Sequence, residues 1–68
     1  MRNNLRVERA VLNITQEELA KKTGVTRQAI NAIELNKYIP SALLALKISY
    51  VFGKSVSDIF VLEDSDWN

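Results

Sequence analysis

Thr15-Gln16-Glu17-Glu18-Leu19-Ala20-Lys21-Lys22-Thr23-Gly24-Val25-Thr26-Arg27-Gln28-Ala29-Ile30-Asn31-Ala32-Ile33-Glu34 reads as two short helices joined by about three residues. Thr15 and Glu18 stand at capping-box spacing, where hydroxyl and carboxylate each satisfy a backbone donor of the other and so start a helix. That helix runs to about Thr23. Gly24 follows its last periodic residue, where a left-handed backbone meets no β-carbon clash, and Thr26 caps a second helix through Glu34. Leu19, Ala20, Val25, Ile30 and Ile33 fall where two crossed helices require apolar or small side chains. Ala20 is small at the close crossing, and Val25, Ile30 and Ile33 anchor the second helix to a core. Thr23 is assigned to the packing or capping of this hairpin, and Glu17 to solvent.

Outward from this stretch the helical pattern continues on both sides. Leu5, Arg9 and Leu12, with Val11 beside them, repeat at helical spacing behind Asn3 and Asn4, either of which can cap, so a first helix covers about residues 4–12. Asn13 breaks that run. Arg9 lies between Leu5 and Leu12 and is expected to form an ion pair with Glu34 or Glu18. Leu35 to Pro40 is a loop by its Asn and its Pro, and Ser41 caps a fourth helix over about 42–52 that Gly53 ends. With Leu43, Leu44, Leu46, Ile48, Val51 and Phe52 apolar on most of its circumference, this helix is expected to be central. Ser55 can cap a short last helix through Val56, Ile59 and Phe60, and the polar, acidic end carries Trp67. No repeat or linker interrupts residues 1–68, which form a single all-α domain.

Sixty-eight residues bury only about 60% of their unfolded surface, a thin basis for stability. The chain has no Cys and no His, which removes disulfides and the usual metal ligands as supplements and leaves self-association. The same absence of Cys, with no stretch apolar enough for a signal peptide or membrane span, places the chain in the cytoplasm as an expectation. The net charge of +1 divides unevenly: residues 1–37 carry +3 and residues 38–68 carry −2. Such polarity either aims one face at a polyanion or is an ordinary solvated surface.

The sequence TQEELAKKTGVTRQAINAIE resembles the helix-turn-helix of the phage repressor and Cro-like family, the XRE-type regulators. NKYIPSALLALKI resembles that family's loop and fourth helix and SVSDIF its fifth, so the likeness covers about residues 4–60. It implies a five-helix lambda-repressor-like DNA-binding domain, of the small stand-alone repressor type. In such repressors the chain ends pair as a short β-ribbon; Val61 and Leu62 are apolar enough to serve, whereas EDSDWN makes a poor strand.

The second helix of such a motif lies in the major groove with its N-terminal residues on base edges. Thr26, Arg27, Gln28 and Asn31 are the base-reading candidates, with Ala32 beside them. Arg suits guanine O6 and N7, and Gln or Asn suits adenine N6 and N7; Arg27 could instead meet a phosphate, and Asn31 could simply be solvated. The resemblance places Gln16 against a phosphate and against the recognition-helix residue Gln28. It also lays Asn36, Lys37 and Tyr38 along the backbone, with N–H, amide, ammonium and phenol as donors; Tyr38 is equally well read as half-buried packing. Arg6, Lys21 and Lys22 add diffuse attraction.

One module buries on the order of 600–1,000 Å² on DNA, too little for tight specific binding, so a homodimer on a pseudo-palindromic double-stranded operator is expected. Ser55, Val56, Ile59 and Leu62 are its candidate interface. Catalysis lacks parts: there is no His or Cys, no Gly-rich phosphate loop and no metal cluster, and no cofactor is expected. The rival reading is an antitoxin or other protein-interaction module that also binds its own promoter.

Overall fold

The computed structural model describes residues 1–68 as five helices and a two-stranded ribbon. They follow in the order β1 (Arg2–Asn3), α1 (Leu5–Leu12), α2 (Gln16–Thr23), α3 (Arg27–Glu34), α4 (Ala42–Phe52), α5 (Val56–Ile59) and β2 (Phe60–Val61), with a closing 3-10 helix over Asp64–Trp67. Thr15 caps α2 as its spacing requires: its Oγ1 accepts from the Glu18 N–H at 3.0 Å while the Glu18 carboxylate accepts from the Thr15 N–H at 3.0 Å. Thr26 accepts from Ala29 and Ser41 from Leu44, so α3 and α4 also begin on side-chain caps. At α1 the N-cap residue Asn4 makes no side-chain cap bond, and the preceding Asn3 serves instead, its Oδ1 accepting from the Leu5 N–H at 3.1 Å.

Helices α1, α2 and α4 stop at a residue of positive φ, Asn13, Gly24 and Gly53, and α3 is followed by one, Asn36, just past its cap Leu35. In each case the following N–H, that of Ile14, Val25, Lys37 or Lys54, turns back onto a carbonyl five residues earlier. This closure satisfies carbonyls that a helix end leaves free, and Gly or Asn is the residue that tolerates it. The turn between α2 and α3 is therefore dictated by Gly24 and the Thr26 cap together.

Leu5, Leu19, Ala20, Ile30, Ile33, Leu44, Ala45, Ile48, Ile59 and Phe60 form one core, drawn from every helix and from β2. The ribbon joins the two ends of the domain, pairing Arg2 with Val61 and Asn3 with Phe60 in antiparallel register. It uses Phe60–Val61 where Val61–Leu62 was expected, because α5 ends at Ile59 and Phe60 turns inward as strand. Glu63 to Trp67 stays out of the ribbon, with Glu63 and Asp66 held by the amino-terminal ammonium at 3.0 and 2.8 Å.

Two expectations are corrected. Helix α4 is not covered all round: Leu44, Ala45 and Ile48 are buried, but Leu43, Leu46 and Tyr50 on the opposite face are 65%, 59% and 88% exposed. The most extensive packing of α4 is against α2 and α5, and its far side has nothing to pack on. Ile59, expected at a dimer surface, is fully buried, because the four-residue α5 points its one inward side chain into the core. No helix is long and apolar enough to cross a membrane.

Two carboxylates lie inside this assembly, Glu34 and Glu8, together with the Thr23 hydroxyl, which donates to the Leu19 carbonyl at 2.8 Å. The Glu34 side chain is 1% exposed and is met by Arg9 from α1, Nε to Oε2 at 2.6 Å and Nη2 to Oε1 at 3.0 Å. Arg9 Nη1 also donates to the Ile14 carbonyl at 3.1 Å, so one guanidinium ties α1, the α1–α2 turn and α3. Of the two partners open to Arg9, Glu34 is the one it takes. Glu8 is likewise buried and takes Lys54 at 2.9 Å, bracing α1 against the loop before α5.

Burial pushes the Glu34 carboxyl up, but the hydrogen bonds and charge of Arg9, with a further bond from Gln16, hold it below its ordinary value. A carboxyl depressed in the folded state binds fewer protons than in the unfolded chain. Its stabilisation is therefore complete above the unfolded pKa of about 4.3 and is lost as pH falls through the folded value. At pH 7, urea unfolding should place Glu34→Gln about 3 kcal/mol below wild type, since it strands a part-buried guanidinium. The gap should narrow as pH falls below the unfolded pKa of about 4.3 and through the depressed folded value of Glu34; equal stabilities at pH 7 would remove the pair from its central role. A β-carbon on Gly24 would meet nothing within 4 Å, so Gly24→Ala carries only the left-handed backbone strain. Its expected cost in the same measurement is about 1–2 kcal/mol, and no loss would mean that the turn can relax.

Candidate nucleic-acid interface

Helix α3 is locked on its inner side by Ile30 and Ile33, which are essentially fully buried. Residues 27, 28 and 31 fall on the opposite side by helical spacing, and there Arg27 and Gln28 are exposed and Asn31 half-buried. Thr26, at the N-terminal end of the same helix, is exposed; its Oγ1 accepts from the Ala29 N–H and its O–H stays free to donate. These four residues form one continuous polar surface with fixed backing. Ala32 is half-buried on its flank.

Gln16, at the start of α2, faces this surface. Its Nε2 donates to Asn31 Oδ1 at 3.1 Å and to Glu34 Oε1 at 3.3 Å. The partner of Gln16 on α3 is thus Asn31 and not Gln28, which corrects the expectation taken from the resemblance. The physical reason is Glu34: a buried carboxylate draws the amide donor toward the inner edge of α3, where Asn31 lies next to it, three residues earlier. Arg9, Asn13, Thr15, Gln16, Glu17 and Arg27 line an open polar concavity of about 390 Å³ at the N-terminal end of α2. Free N–H groups of the helix start and the Arg27 guanidinium favour an anion there, whereas the charge of Arg9 is neutralised by Glu34.

The loop after α3 is arranged differently from expectation. Asn36 takes a left-handed conformation with φ 60°, its N–H donating to Ile33 and that of Lys37 to Ala32. The N–H groups of Asn36 and Lys37 are consumed in closing the helix, which leaves the Tyr38 N–H and the side chains to offer. Asn3 Nδ2 donates to Asn36 Oδ1 at 3.0 Å and to the Ile33 carbonyl at 2.8 Å, which ties the loop to β1 and leaves the Asn36 amide nitrogen outward. The Lys37 ammonium is exposed and Tyr38 is 48% exposed, with its hydroxyl unengaged. Asn3 is the positioning residue that periodicity could not reveal, since its role depends on a strand pairing across the whole chain.

Ion pairing sharpens the charge asymmetry. Glu34 with Arg9 and Glu8 with Lys54 form neutral pairs, so residues 1–37 retain Arg2, Arg6, Lys21, Lys22, Arg27 and Lys37 against Glu17 and Glu18. Glu18 is committed to the α2 cap, which holds its carboxyl below the ordinary value through the Thr15 hydrogen bonds. In the second half Lys47 is the one side-chain cation left beside Asp58, Glu63, Asp64 and Asp66, of which Glu63 and Asp66 are held by the amino-terminal ammonium.

Of the residues expected at a dimer surface, Ser55 and Leu62 are exposed, Val56 is half-buried and Ile59 is inside. Ser55 stands before α5, where it is the Asp58 carboxylate that reaches back to the Ser55 N–H at 3.4 Å.

The Helix-turn-helix family model matches residues 5–59 of the chain. An uncharacterized HTH-type transcriptional regulator of Methanocaldococcus jannaschii is 54% identical over 66 residues, covering 97% of this chain and all of that protein. One of Archaeoglobus fulgidus is 47% identical over 97% of this chain and 94% of its own length. The Bacillus subtilis regulator YgzD is 44% identical over 97% of this chain and its own full length. With two crossed helices joined at Gly24, a polar outer face on α3 and relatives matched end to end, the chain belongs to the helix-turn-helix family, among the Cro-like, XRE-type transcriptional regulators.

Proposed function

We propose that this protein is a dimeric repressor that reads double-stranded DNA in the major groove with α3. The observation that carries the reading is the outer face of α3. It presents Arg27, Gln28 and Asn31 in one stripe, on a helix whose inner side is immobilised by Ile30, Ile33 and Glu34. Specific recognition needs side chains whose positions do not drift, because a bidentate base contact discriminates by only about 1–3 kcal/mol and is lost with its geometry. Arg27 matches guanine O6 and N7, Gln28 matches adenine N6 and N7, and the Thr26 O–H meets an acceptor at the groove edge.

Phosphates flank this helix on both sides. The main-chain N–H of Gln16 at the start of α2 takes one, and the Asn36 amide nitrogen, the Lys37 ammonium and the Tyr38 phenol follow the next stretch of backbone. A domain seated in this way occludes the DNA it covers, which suffices for repression without a contact to polymerase.

Two copies bring enough contact area, with recognition helices about 34–36 Å apart on a pseudo-palindromic operator. Ser55, Val56 and Leu62 supply the pairing surface, with Ile59 supporting it from beneath. The apolar Leu62, 59% exposed, is the residue best suited to lie at its centre.

Mobility shifts on DNA from just upstream of its own coding sequence, over a salt series, test the DNA reading. Wild type should give a discrete complex with a steep salt slope, and Gln28→Ala should weaken it by about tenfold or more. No selective shift, or a variant equal to wild type, would overturn it. Sedimentation equilibrium tests the pairing: wild type is expected to be dimeric and Leu62→Arg monomeric, with correspondingly weaker operator binding. A monomeric wild type, or a dimer indifferent to Leu62→Arg, would rule out this surface.

A further inference from the structure

The cluster between α2 and α3 fixes the direction in which two amides point. A carboxylate only accepts hydrogen bonds, so the group of Gln16 that meets Glu34 Oε1 at 3.3 Å has to be its NH2. That nitrogen has a second hydrogen, which lies 3.1 Å from the Asn31 side chain by its heavy atom, and the Asn31 atom that receives it has to be Oδ1. The charge on Glu34 is itself secured by Arg9 on both oxygens. A carboxylate thus sets the Gln16 amide, and the Gln16 amide sets that of Asn31.

Two consequences follow at the surface. Both donors of Gln16 are consumed, and its remaining Oε1 is an acceptor that a phosphate oxygen, also an acceptor, cannot satisfy. Asn31 turns its carbonyl inward and keeps Nδ2, which has no partner in the protein, as its outward group. An asparagine free to use both groups pairs with adenine, taking N7 with its donor and N6–H with its acceptor. With the acceptor held inward that pair is broken, and the base edge that suits a lone NH2 is one with two adjacent acceptors, guanine N7 and O6.

We infer that Gln16 is a specificity-setting residue without itself touching a base: it locks Asn31 as a hydrogen-bond donor, so that Asn31 selects guanine over adenine at the base pair it reads. The inference rests on α3 being the base-reading helix, and it assigns Gln16 a positioning role distinct from any phosphate contact.

Two measurements separate the inference from that reading. In the free protein, solvent exchange of side-chain amide protons by NMR should find the Gln16 NH2 protected and the Asn31 NH2 exchanging like a free amide. The reverse order would overturn the relay whatever the protein binds. Selection from a randomised pool of duplex DNA then compares wild type, Asn31→Ala, Gln16→Ala and Gln16→Met, the last preserving length and packing. Wild type should enrich guanine at one position per half-site, and Asn31→Ala should lose that preference. Both Gln16 variants should shift the same position toward adenine by about fivefold or more, the scale of one base contact. An unchanged guanine preference in folded Gln16 variants, or an Asn31→Ala variant that alters no position, would overturn the inference. A wild type that enriches no sequence would overturn the DNA reading together with it.

Discussion

The Glu34 carboxylate lies at the C-terminal end of α3 and is almost sealed from solvent, and three side chains converge on it from α1 and α2. Arg9 reaches it from α1, Gln16 from the start of α2, and Arg6 approaches within 3.8 Å from the solvent side. Removing one partner from such a pair costs more than the pair gains over an apolar substitute, because the remaining charge is left desolvated. Its value is therefore directional: apolar contacts between Leu5, Leu19 and Ile30 would accept small rotations of α3, whereas a bidentate guanidinium does not. The register of α3 against α1 and α2 is set by this contact, and the orientation of its outer face follows.

The capping pattern explains why helices of only eight residues persist. Helices this short are marginal alone, and α1, α2 and α3 each have side-chain or backbone closure at both ends. The left-handed residues also define the directions in which the chain leaves each helix. Gly24 turns α2 into α3 within three residues, and Asn36 turns the chain away from α3 while presenting Lys37 and Tyr38 alongside it. Asn36 therefore serves two ends, closing the helix through its backbone N–H and accepting from Asn3 through its amide oxygen.

Most of the fold was legible in the sequence because it is carried by local signals. Thr15 with Glu18, Gly24, Thr26, Ser41 and Gly53 mark helix ends within a few residues, and the apolar spacing of α2 and α3 names their buried faces; in α1 it does not, since Val11 and Leu12 are exposed and Glu8 is buried beside Leu5. What escaped depends on neighbours that are remote in the chain. Counting apolar residues in α4 gives no sign that its Leu43, Leu46 and Tyr50 lack anything to pack on, and Ile59 reads equally well as surface or core in a helix of one turn. Gln16 could be assigned to the right place but not to the right partner, since the choice between Gln28 and Asn31 is made by Glu34, eighteen residues away. Asn3 and Glu8 acquire their roles from Asn36 and Lys54, which only the closed ribbon and the packed α5 bring near.

The exposed apolar surface left by this economy has a physical logic. Ten buried side chains are a small core for 68 residues, and large apolar groups that find no place in it, among them Val7, Val11, Leu46, Tyr50 and Leu62, stay at the surface. They are absent from the outer stripe of α3, where Arg27, Gln28 and Asn31 stand, so the face proposed to meet DNA and the apolar faces are separate. Pairing two copies through one of the apolar faces would bury surface that the monomer cannot cover and leave both α3 stripes free. Stability and affinity would then rise together from one contact, which is how a domain too small to hold DNA tightly alone can become adequate as a pair.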